Sequence, residues 1–77
     1  MSRPIYIIAQ EIRKDWKPVN YCAVPYLEAM ECLDKITDRY IAESAMSVVG
    51  YFLANARMWR GETARRIKKE LNGMIGA

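Results

Sequence analysis

At 77 residues, with 52% hydrophobic and 27% charged side chains, the chain has room for one domain and one core, and its composition excludes intrinsic disorder. The net charge of +3 is unevenly placed: Arg57 to Glu70 carries six Arg or Lys against two Glu, whereas residues 1–40 balance at six against six, which directs any anionic partner to the last third. Histidine is absent, and with it go the commonest general base and the commonest metal ligand near neutral pH, which argues against an enzyme.

The first helix is predicted to start near Ser2, whose hydroxyl suits an N-cap, with Pro4 tolerated in the first turn because its missing N–H has no intrahelical acceptor there. Ile5, Ile8, Ala9, Ile12 and Trp16 recur at helical spacing, and Pro18 ends the element by pushing its predecessor out of the α region. Tyr6 and Ile7 fall off that stripe. A second helix has a two-part start at Asn20 and Pro25, with Tyr26, Ala29, Met30, Leu33 and Ile36 inward and Glu28, Glu31 and Asp34 solvated. Thr37 to Glu43 reads as a turn or a short extra helical piece.

The third helix, Ser44 to Asn55, is apolar nearly all round through Met46, Val48, Val49, Tyr51, Phe52, Leu53 and Ala54, the pattern of a central helix. Gly50, which costs about 1 kcal/mol relative to alanine inside a helix, is expected to permit a close helix crossing. A fourth helix is predicted from beyond Asn55 to Leu71 or Met74. Trp59, Ala64, Ile67, Leu71 and Met74 face inward, the outer faces are basic, Glu62 pairs with Arg66, and Gly73 and Gly76 mark the frayed end. The expected fold class is all-α, a single helical domain over 1–77: a compact bundle of about four short helices with the apolar third helix central.

Residues suited to chemistry are few. Cys22 and Cys32 match neither a disulfide framework nor a zinc spacing and are expected to be reduced, half-buried and inert. Asp34 with Asp38, and Glu11 with Asp15, lie four apart, but the interspersed Lys14, Lys35 and Arg39 favour a charge-balanced surface over a metal site or an acid–base pair. The four glycines form no phosphate-cradling loop. No catalytic residue, metal or cofactor is expected. The sequence reads as lacking a leader pattern and any apolar window long enough for a membrane span, so the expectation is a cytoplasmic protein without membrane contact.

Two surfaces could carry function. Arg57, Arg60, Arg65, Arg66, Lys68 and Lys69 could neutralise phosphates and release counterions, with Trp59 stacking on bases; a solvated C-terminal helix face is the weightier reading of the same residues. Trp16 and Trp59 are core anchors by default, although their places near helix ends, beside charges, also suit an interface. Together with Tyr6, Ile7, Tyr21, Tyr40 and Met58 they exceed what so short a chain hides, so some are expected to face a protein partner or a second copy.

The run from Ile8 to Lys17, then Pro25 to Met30, Tyr51 to Ala56 and Trp59 to Glu62, resembles small uncharacterised phage and mobile-element proteins of gut-type bacteria. The resemblance spans most of the chain and implies a setting, with no activity and no site residues to carry over. The functional expectation is a non-enzymatic protein–protein interaction module, an adaptor or inhibitor. The alternative is a nucleic-acid-binding accessory protein that uses the basic C-terminal helix.

Overall fold

The stripe of Ile5, Ile8, Ala9 and Ile12 is buried, as its spacing requires, on helix α1 (Ile5–Asp15) of the computed structural model, which describes residues 3–76. The expected Ser2 cap lies outside those residues. Pro4 stands just before the helix instead of within it, and the first N–H groups of α1 are met by tertiary partners: Ile5 donates to the Asp34 carbonyl (2.8 Å) and Tyr6 to that of Leu33 (2.9 Å).

That capping explains why helix α2 (Val24–Met30) stops short of the expected Ile36. The Leu33 and Asp34 carbonyls turn towards α1, and the loop that presents them is held by Asp38, whose Oδ2 accepts the N–H groups of Asp34 (3.1 Å) and Lys35 (3.0 Å). Those two donors, Lys35 first, hold the Asp38 carboxyl below its ordinary range. At the other end of α2, Asn20 holds a turn as expected, accepting the Cys22 N–H at 2.9 Å.

Thr37 to Glu43, read as a turn or helical piece, contributes to a small antiparallel hairpin: strand β1 (Arg39–Tyr40) pairs with β2 (Glu43–Ser44) in the register Arg39 to Ser44 and Tyr40 to Glu43. The fold is therefore helical with one two-stranded ribbon, not purely α. The loop residues Ile41 and Ala42 carry none of the usual turn chemistry, and Ile41 is held at φ +57°, a conformation costly for a β-branched side chain. Ser44 then caps helix α3 (Ala45–Ala54), accepting the Ser47 N–H at 3.1 Å.

Helix α4 (Glu62–Met74) begins later than expected. Gly61, at φ +116°, sits at its N-cap, so Trp59 belongs to the preceding loop and reaches the core from there. α1 and α3 each pack on α2 and α4, while the hairpin packs on α3. Phe52, Ile5, Ile8, Ile12, Leu27, Met30, Ile67 and Leu71 form the body of the core, each such burial contributing about 1.5–3 kcal/mol against exposure. Arg3 clamps α1 to α4 through Glu11 (2.8 Å) and Glu70 (2.8 Å), Arg66 also reaches Glu11, and Arg13 joins Glu31. These pairs are partly exposed and add little each. The expected Glu62–Arg66 pair is not among the ion pairs of the described residues.

α3 is apolar as read, but it is not enclosed. Ala45, Val48, Val49 and Phe52 are buried, while Met46, Gly50, Tyr51 and Ala54 lie on the outer side. Gly50 does not serve a close crossing, since a Cβ built there meets nothing within 4 Å. Gly50→Ala is therefore expected to stabilise the protein by about 0.5–1 kcal/mol, seen as a higher urea midpoint with an unchanged slope. A lower midpoint would mean that the position is crowded after all.

Candidate functional site

The basic cluster divides once its residues are placed. Trp59 is only 2% exposed. Its ring stacks on Trp16 (centroids 5.7 Å apart, 10° between planes), meets Phe52 edge-on (6.4 Å), and donates Nε1–H to Asp15 Oδ2 at 2.8 Å. It is a core anchor, and the expected stacking of bases on it is corrected by that burial. Arg66 is engaged by Glu11 on α1. Arg57, Arg60, Arg65 and Lys69 are exposed and have no carboxylate partner among the described residues.

Lys68 is half-buried. Its Nζ donates to the Trp59 carbonyl at 2.6 Å and lies 5.9 Å from the centre of that ring. Burial, and after it the like charge of Arg60, hold the Lys68 ammonium below its ordinary pKa. Arg60, Arg65 and Lys68 wall a pocket of about 430 Å³ together with Trp59, Gly61 and Ala64. Six basic residues close in sequence thus become one paired arginine, three cations at a shared concavity, and two exposed cations.

A second surface was not marked by the sequence. Met46 (50% exposed) and Tyr51 (52%) flank Gly50 and Ala54 on the outside of α3, a helix without a single charged side chain. Tyr51 leans on Tyr26 of α2, with ring centroids 5.5 Å apart. Ile41, 86% exposed at the hairpin tip, lies five residues before Met46. The expectation of a central third helix rests on its being apolar nearly all round, a pattern that marks no outer side and so does not single out Met46 and Tyr51. Gly50, expected at a close crossing, lies on this open side instead, where a Cβ meets nothing within 4 Å. Of the residues expected to be left over, Tyr6, Tyr21 and Met58 are exposed, while Ile7 and Tyr40 are half-buried.

The remaining candidates carry less. Cys22 and Cys32 are free and exposed, not half-buried, because one sits in the turn before α2 and the other just past its end. Among the described residues no three His, Cys, Asp or Glu side chains converge on a point that could hold a metal. A pocket of about 540 Å³ between Arg3, Asp34, Lys35, Thr37 and Met74 has mixed charge, and its Arg3 is already committed to Glu11 and Glu70. Among the described residues no helix is long and apolar enough to cross a membrane. No protein-family model, curated protein or solved structure matches the chain.

Proposed function

We propose that the protein is a non-enzymatic helical interaction module, an adaptor or inhibitor of the phage or mobile-element setting, whose contact surface is the outer face of α3. The observation that carries this reading is a ten-residue helix without charge that leaves Met46, Tyr51 and Ala54 exposed to solvent. A helix apolar on every side is normally enclosed. Charge depletion with methionine and tyrosine enrichment is the composition of an interface core. The recognition mode is a helix face presented to an apolar groove, with Met46 and Tyr51, about 140° apart round the helix, as anchors at its two borders and Gly50 and Ala54 between them.

The test compares the wild-type protein with the Met46→Glu/Tyr51→Glu variant as bait in lysates of gut-type bacteria, with sedimentation run alongside. The reading expects a reproducible partner, or a dimer, that the variant loses. Capture by both forms alike, or capture by neither across several lysates together with a monomer in sedimentation, contradicts it.

A further inference from the structure

The unpaired cations of the last third are not spread evenly over solvent. Arg60, Arg65 and Lys68 converge on one open pocket floored by Trp59, Gly61 and Ala64. None of the three has a carboxylate partner among the described residues, whereas Arg3, Arg13 and Arg66 are all paired. Like charges around one concavity repel one another, and an anion placed between them removes that repulsion while accepting charge-assisted hydrogen bonds. Lys68 is held in place by its bond to the Trp59 carbonyl. Glu62 is exposed and does not line the pocket.

The chemistry of the walls selects among anions. Two guanidinium forks and an ammonium offer more donors than the two oxygens of a carboxylate accept, whereas a phosphate presents three or four oxygens in tetrahedral array. The start of α4 borders the pocket through Gly61 and Ala64, with the exposed Glu62 carboxylate in the same first turn. Gly61 brings no capping side chain to the start of α4, and among the described residues no acceptor meets the N–H groups of Glu62, Thr63 and Ala64. We propose that the pocket walled by Arg60, Arg65 and Lys68 binds a phosphate group. This inference is independent of the α3 reading. A free phosphorylated small molecule and a nucleic-acid strand both carry such groups, and the test separates them.

Isotope-labelled protein is titrated at low salt with inorganic pyrophosphate and, separately, with a short oligothymidylate, following amide shifts. The Gly61 to Ala64 amides are expected to move and saturate. Saturation by pyrophosphate marks a small-molecule site, and saturation by the oligonucleotide alone marks a strand. Arg60→Glu/Arg65→Glu is expected to weaken binding at least about tenfold, and in the oligonucleotide arm to flatten the salt dependence by about 0.7 per lost contact. Lys35→Glu/Arg39→Glu makes the same change in net charge; Lys35 lies beside Met74, at the other end of α4, and the pair is expected to leave affinity within about twofold. The proposal is overturned if neither probe moves those amides, or if the control pair weakens binding as much as the pocket pair. Should the pocket variant fail to fold, the wild-type shifts decide alone.

Discussion

Trp59→Ala is expected to unfold a large part of the protein at room temperature. Truncating a buried tryptophan typically costs about 3–5 kcal/mol, and a chain of this length has a total stability on the order of 4–12 kcal/mol, at the low end for so small a core. Trp59 is also where three structural links meet: the stack on Trp16, the edge contact with Phe52, and the hydrogen bond to Asp15 at the end of α1. Without the ring, the loop before α4 loses its hold on α1. Trp59→Phe keeps most of the apolar volume and forfeits the Asp15 bond, a loss of about 1 kcal/mol for the hydrogen bond itself. Urea unfolding followed by far-ultraviolet circular dichroism separates the two. A Trp59→Ala protein within about 1 kcal/mol of wild type would contradict the burial described.

The second large effect concerns binding, with folding left nearly intact. Met46 and Tyr51 are about half exposed, and Tyr51 also packs on Tyr26, so Glu at both positions is expected to cost about 1–2 kcal/mol of stability. In a complex the same carboxylates would be buried without partners. Hot-spot truncations alone cost about 2 kcal/mol or more, and a buried unpaired charge adds to that, so a loss of affinity beyond about a hundredfold is expected. The contrast between a preserved melting transition and a lost complex identifies a contact surface. Parallel loss of both would show that these side chains serve the fold.

The helix stripes could be read directly. Ile5, Ile8, Ala9 and Ile12 on α1, and Ala64, Ile67 and Leu71 on α4, are buried at the spacing that marks them. What could not be read depends on distant partners. α2 ends early because the Leu33 and Asp34 carbonyls are needed at the start of α1, a demand that no local pattern in α2 expresses. The hairpin escaped notice because Ile41 and Ala42 lack turn chemistry. The role of each cation was likewise invisible: only the fold brings Glu11 to Arg66 and leaves Arg60, Arg65 and Lys68 together. The outer face of α3 went unmarked for a related reason. Apolarity on all sides states what a helix avoids, water, and leaves open whether its own chain or another covers it.

Photo-cross-linking tests the α3 surface most directly. A benzophenone-bearing residue replaces Met46 in one protein and Lys14, exposed on α1, in another, and both are irradiated in the same lysate. The account predicts one adduct of defined mass from position 46 and none from position 14. Equal labelling from both positions, or adducts from position 14 alone, would contradict it.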